Sequence, residues 1–246
     1  MQTEQLIQKI KAKKAEVLWL NTSPSFQCFD QPLVDFFSKH TAIAQWQYCQ
    51  NEDEPSSLDI ALVLLHDYIK TCAQPIHLIG HGTSGLLALL YARKHPKRVK
   101  SLTLLGVGCN PGVNWQAHYY AFRQLFASNR ETILTQMVYN IFGYQDAKST
   151  NNLISILQKD LDLSPSAHSL FKRKSEITGG ICKPLMVCGS QDDLIVDPNA
   201  LNGWQKYFKE GDRLWKCEEG HHFFYYFYPE QVGEAILEFW NSVAVQ

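Results

Sequence analysis

Short apolar runs alternate along this chain with longer stretches in which apolar residues recur every three to four positions. Ala15–Leu20 and Ala42–Cys49 read as buried strands, and Ser56 or Ser57 then caps a helix whose Ile60, Leu64, Leu65 and Ile69 fall at helical spacing. Strand Ile76–Ile79, helix Thr83–His95 stopped near Pro96, and strand Val99–Leu105 follow. Later come strand Leu185–Cys188, helix Pro198–Phe208, strand Arg213–Cys217 and a terminal helix Pro229–Val243. Repeated strand–helix units without hairpin signals predict an α/β fold, a mostly parallel sheet with helices on both faces.

Residues 110–181 break this alternation. Gln116–Phe126, Arg130–Phe142, Asn152–Lys159 and Ser166–Glu176 carry helical patterns, and no strand pattern lies between them. The expected organisation is a core of residues 1–109 and 182–246 with a helical cap, 110–181, inserted over the strand C-terminal ends. Open α/β sheets bind ligands at that edge. The cap is rich in aromatics, and Trp115, His118 and Tyr119 are the candidates to line a ligand pocket. Thr3–Lys14 reads as a docked surface helix, with Leu6, Ile7 and Ile10 on one face and lysines elsewhere.

Composition narrows the classes. With 246 residues and 45% hydrophobic content, the chain buries one sizeable core. A formal net charge of −1 gives no long-range attraction to nucleic acid or anionic lipid. Seven cysteines without CxxC spacing, several of them in apolar strand contexts, read as buried thiols in a reducing compartment. Val17-Leu18-Trp19-Leu20 is too short for a secretory signal, and no apolar run approaches the roughly 20 residues of a membrane span. A cytoplasmic protein is expected, neither nucleic-acid-binding nor an integral membrane protein. The nine histidines include no HxH or HExxH spacing, so neither metal nor cofactor is expected.

The most informative segment is Gly80-His81-Gly82-Thr83-Ser84-Gly85, between a strand and a helix. Strand, sharp turn with small flanks, then helix is the frame of a nucleophile elbow, which holds a reactive side chain above a parallel sheet. Frames centred on Thr83 or Ser84 place His81 or Leu86 where the turn needs a small residue. Only Gly82 fits the apex, and glycine carries no attacking atom. It also takes the positive φ of such an apex without the usual steric cost.

In chain order, this elbow, the helical cap, Gly189-Ser190-Gln191-Asp192-Asp193 and Gly220-His221-His222 resemble the α/β-hydrolase superfamily, over nearly the whole chain from Ala15. The resemblance implies that fold, shortened by its first two strands, with the order nucleophile, acid, histidine. Carried over residue by residue, it implies Asp192 as the acid, with Asp193 the alternative. It implies His221 as the base, favoured by the Gly220-His221 pair; the distance back from Pro229 favours His222 instead. Two features depart from the family alongside Gly82. The first strand ends Leu20-Asn21-Thr22-Ser23 where His-Gly helps shape an oxyanion hole, and Gln50–Pro55 replaces a Gly-rich loop. N–H groups of Thr83 and Thr22, beside Asn21, remain to cradle a carbonyl or anion.

After His222 come six aromatics, Phe223–Tyr228, more than one short loop can bury. The expected function is that of a non-hydrolytic, pseudoenzyme-like protein. It binds a small apolar ligand, or a protein partner through the cap and the aromatic loop. Two alternatives stand beside it. One is an enzyme using a His/Asp pair without a covalent intermediate; the other is an esterase-type hydrolase with a nucleophile displaced to Ser25 or Cys28.

Overall fold

In a computed structural model, residues 15–50, 57–166, 168 and 176–244 are described. The Thr3–Lys14 helix and nearly all of the Gln50–Pro55 loop and the Ser166–Glu176 helix lie outside them. Six strands, β1 (Val17–Asn21), β2 (Ile43–Gln47), β3 (Ile76–His81), β4 (Val99–Leu105), β5 (Leu185–Ser190) and β6 (Arg213–Cys217), form one sheet in the order β2-β1-β3-β4-β5-β6. Every neighbouring pair is parallel. Parallel neighbours need crossovers, and helices provide them. Among these are α1 (Gln27–Ser38), α2 (Leu58–Ile69) and α3 (Gly82–Lys94), while α9 (Pro229–Ala244) ends the described chain. Helix α1 packs on α9 over one face of the sheet, and α2 packs on α3 over the other.

The chain runs from β1 out to β2 and returns to β3 on the far side of β1. That reversal opens a crevice between the C-terminal ends of β1 and β3, where Leu20 lies opposite Gly80. Leu33 and Phe37 of α1, Ile236 and Phe239 of α9, Leu65 and Ile69 of α2, and Leu87 and Tyr91 of α3 are fully buried. Each such side chain contributes about 1.5–3 kcal/mol by leaving water. Of the seven cysteines, Cys72, Cys109, Cys188 and Cys217 are buried, and Cys28, Cys49 and Cys182 exposed.

Between β4 and β5 the chain makes three longer helices, α4 (Trp115–Leu125), α5 (Arg130–Phe142) and α6 (Ala147–Leu163). Capping explains where each begins: Asn114, Asn129 and Asp146 accept backbone N–H bonds of the first turn. Ser57 caps α2 in the same way.

The structure differs from the sequence pattern in four places. Helix α1 is absent from the pattern reading, although Phe29, Leu33, Val34 and Phe37 form its buried stripe. In α2 the buried face is Leu58, Ala61, Leu65 and Ile69, and Ile60 and Leu64 are exposed. The expected helix Pro198–Phe208 is a short α7 (Pro198–Asn202) followed by a 3₁₀ turn, Gln205–Tyr207. It breaks because Trp204 turns inward, fully buried, and its indole N–H donates to the Val107 carbonyl at 2.8 Å. The aromatic segment is a 3₁₀ turn, His221–Phe223, and the one-turn helix α8 (Phe224–Phe227); Phe223, Phe224 and Tyr225 are buried, and Tyr226, Phe227 and Tyr228 exposed.

Candidate functional site

Strand β3 passes into α3 at Gly82, whose φ is +50°. A Cβ on Gly80 would lie 2.8 Å from the Ser84 backbone, and one on Gly85 would lie 2.8 Å from the Gly80 carbonyl oxygen. Strand and helix therefore cross at a distance that only glycine permits on either side. A Cβ on Gly82 meets nothing within 4 Å. The apex is open where its flanks are closed.

Two His–Asp pairs stand beyond β5 and β6. His222 Nδ1–H donates to Asp193 Oδ2 at 2.9 Å, and both side chains are buried, 1% and 0% exposed. Asp193 Oδ1 is itself held by the N–H groups of Ile195 and Val196, at 2.7 and 3.1 Å. His221 Nδ1 lies 3.2 Å from Asp192 Oδ2 with both side chains about one-third exposed, 32% and 33%. Partial burial works against the charge on Asp192, but the Ser190 hydroxyl and the His221 and Gly220 N–H groups outweigh it and hold its carboxyl below the usual range. His221 leans on Gly143, away from the elbow, with φ +52°.

Of the two histidines only His222 lines the cavity at the elbow. Its Nδ1 is committed to Asp193, which does not line that cavity, and Nε2 is the other ring nitrogen. This atom is buried and has no hydrogen-bond partner. A buried polar atom left unpaired costs about 1–3 kcal/mol. His81, part-buried, donates from Nε2 to the His222 carbonyl at 3.1 Å and fixes the backbone that carries the ring. Burial, then the neighbouring His222, push the His81 imidazole well below its ordinary value.

The oxyanion side is occupied from within. The Thr22 N–H donates to Ser84 Oγ at 2.9 Å, and the Thr22 and Ser84 hydroxyls are 3.0 Å apart. Asn21 Oδ1 accepts from Ser23 N–H at 2.8 Å, and Asn21 Nδ2 donates to Asp30 at 3.0 Å. Asn114 Nδ2 donates to Thr83 Oγ1 at 2.9 Å, tying the start of α4 to the elbow.

Two buried carboxylates, neither anticipated from the sequence, support the site: Asp30 lines the cavity, and Asp160 holds Trp115, which lines it. Asp30 of α1 receives Trp19 Nε1 at 3.1 Å, Asn21 Nδ2 at 3.0 Å and the Tyr225 hydroxyl at 2.9 Å. Burial outweighs these donors and pushes its carboxyl up to about 7. Asp160 of α6 receives Trp115 Nε1, Gln116 Nε2, and the hydroxyls of Ser164 and Ser25, and burial raises it as well. Asp30 falls within the apolar stripe Phe29, Leu33, Val34 and Phe37 of α1, and a carboxyl in such a stripe is a signal visible in the sequence.

Of the pocket residues expected from the helical insertion, Trp115 lines the cavity. Tyr119 is buried within the insertion, and His118 bonds from Nε2 to the Ile195 carbonyl at 3.1 Å. Neither belongs to the cavity wall. Asn21 and Thr83 do. Rings of Phe26, Phe29, Phe142 and Phe223 pack together behind Trp115, with Phe142 and Phe223 stacked at 5.1 Å. What remains is a cavity with about 20 Å³ of room for water, enough for roughly one molecule. Ser25 donates to Asp160 and Ser84 is engaged with Thr22, so neither hydroxyl is paired with His222.

Comparison with known proteins places this geometry among relatives. A family model described as alpha/beta hydrolase fold matches residues 70–136, which include the elbow. An uncharacterised protein of Nostoc sp. is 47% identical over 226 residues, 92% of this chain and 90% of that protein. An uncharacterised protein of Synechocystis sp. is 44% identical over 230 residues, 94% and 92% of the two chains. Among solved structures, a putative lipase from Acinetobacter baumannii matches with a TM-score of 0.63 at 16% identity, over 99% of this chain and 96% of that one. The enol-lactonase from Burkholderia xenovorans matches with a TM-score of 0.64 at 16% identity, over 92% and 91%. At such identities these likenesses establish the fold alone.

Proposed function

Because the chain belongs to the α/β hydrolase fold family, we propose that it is a non-hydrolytic member, which binds a small apolar ligand or a protein partner and forms no acyl-enzyme. The observation that carries this reading is the elbow apex, a glycine at φ +50° with open space where a nucleophile's side chain would stand. The engaged Thr22 N–H supports it, since loss of a single oxyanion donor lowers a rate by about 10²–10³. In this reading residues 110–181 act as a cap. A ligand larger than a water enters by displacing Phe26 and Trp115, and a protein partner meets the exposed Tyr226, Phe227 and Tyr228.

A second reading has its own support. The buried His222–Asp193 pair with Nε2 unpartnered is equipped for general acid–base chemistry that needs no covalent intermediate. Here His222 and Asp193, and not the favoured His221 and Asp192, are the pair for the role.

The two readings separate on a panel of activated esters, thioesters and lactones, comparing the native protein with His222→Ala. Non-hydrolytic function expects both at the uncatalysed rate. A native rate above that background, lost in a folded His222→Ala variant, would overturn it in favour of the second reading.

A further inference from the structure

We propose that the elbow is a recognition site for a ligand hydroxyl, with His222 Nε2 as its acceptor and the apex at Gly82 as the space it occupies. The inference rests on the ligand-binding reading and names the class of ligand: an alcohol or phenol with an apolar body. Three observations converge. His222 is 1% exposed, and its Nδ1–H is committed to Asp193, so in the neutral ring Nε2 is an acceptor by default. That acceptor is buried without a partner. The adjoining position, where a Cβ on Gly82 would meet nothing within 4 Å, opens on a cavity sized for one small polar group. In a hydrolase of this fold the protein supplies the hydroxyl at the elbow. Here the protein supplies only the acceptor, and the complementary donor has to come from the bound molecule.

The wall explains the rest of the ligand. Leu20, Phe26 and Trp115 line the cavity beside His222, so the part of the ligand carrying the hydroxyl is met by apolar and aromatic surface. A carboxylate is disfavoured because it brings no proton for Nε2. A ligand without a donor leaves Nε2 unpaired and forfeits the bond, which sets the discrimination at about tenfold.

The test uses the full chain labelled with ¹⁵N, with the His222 ring nitrogens followed by NMR during titration with benzyl alcohol and, separately, with toluene. Benzyl alcohol is expected to shift Nε2 saturably in the direction of hydrogen-bond acceptance, and to bind about tenfold more tightly than toluene. In Gly82→Ser the new side-chain hydroxyl should take Nε2, so the preference for the alcohol disappears while toluene binding persists. Equal affinity for the two probes with Nε2 unmoved would overturn the hydroxyl site while leaving a ligand-binding pocket in place. Failure of both probes to bind would overturn it together with the ligand-binding reading. The native-protein comparison stands even if the variant does not fold.

Discussion

Replacing Gly82 tests the elbow in two separable steps. A Cβ at φ +50° costs about 1–2 kcal/mol through its clash with the local backbone. No tertiary clash adds to this, since nothing lies within 4 Å of that position. Gly82→Ala should therefore lose about 1–2 kcal/mol and nothing more. Gly82→Ser carries the same strain but brings a hydroxyl to the unpartnered His222 Nε2, and a buried hydrogen bond returns about 0.5–1.5 kcal/mol. The serine variant should be the more stable of the two by about 1 kcal/mol. Urea denaturation, with the slopes held equal, reads both differences from the midpoints. The serine variant should hydrolyse short activated esters weakly at best, because Ser84 Oγ still occupies the Thr22 N–H. An alanine variant as stable as the parent would refute the strained apex. A serine variant no more stable than the alanine variant would show that Nε2 does not face Gly82.

Two further outcomes follow from the buried groups. Asp30 has a folded pKa of about 7 against an ordinary 3.8, so between those values the folded chain holds a proton that the unfolded chain releases. Stability conferred by Asp30 is therefore lost as pH rises through that window, by an amount on the order of 4 kcal/mol, and Asp160 acts in the same sense. His81, held well below its ordinary value, acts in the opposite sense over the same range, so Asp30 is read by comparison: between pH 5 and pH 8 the native denaturation midpoint should fall relative to that of Asp30→Asn, and a gap between the two that does not change with pH would contradict it. His222→Ala leaves the buried Asp193 carboxyl without its imidazole N–H donor and should cost about 1–3 kcal/mol, whereas His221→Ala, at a pair one-third exposed, should cost about 1 kcal/mol or less. Equal losses in thermal or urea unfolding would reverse the assignment of the two histidines.

The order of strands, the close-packed glycines between β3 and α3, and the helices between β4 and β5 could be read from the sequence because each rests on local periodicity or on small residues at a turn. Val99–Leu105 and Arg213–Cys217 are short apolar runs whose bounds coincide with β4 and β6. Gly82 could be identified because only that frame leaves room at Gly80 and Gly85, a constraint visible in the order of residues alone. The site's inner details were not legible, because they depend on contacts distant in the chain. Choosing between His221 and His222 depends on how the 3₁₀ turn after Gly220 rotates two adjacent rings, which no spacing encodes. Ser84 was read as a small flanking residue, and only the approach of β1 reveals that its hydroxyl holds Thr22. Asp160 lies 45 residues from Trp115 in sequence, and its burial depends on α6 folding back over α4. Of the four apolar residues at helical spacing in α2, Leu65 and Ile69 are buried and Ile60 and Leu64 exposed, so the spacing marks the helix without fixing which of its faces packs.

The central claim is that no hydroxyl of this protein is activated as a nucleophile, and reaction with a fluorophosphonate tests it most directly. Such probes capture a serine only when a base and an oxyanion site act on it together. The native protein, treated with excess probe and measured as an intact mass, is predicted to remain unmodified, and Gly82→Ser to react slowly. A stoichiometric adduct on the native chain, mapped to Ser25 or Ser84, would contradict the account and make this protein a hydrolase with a displaced nucleophile.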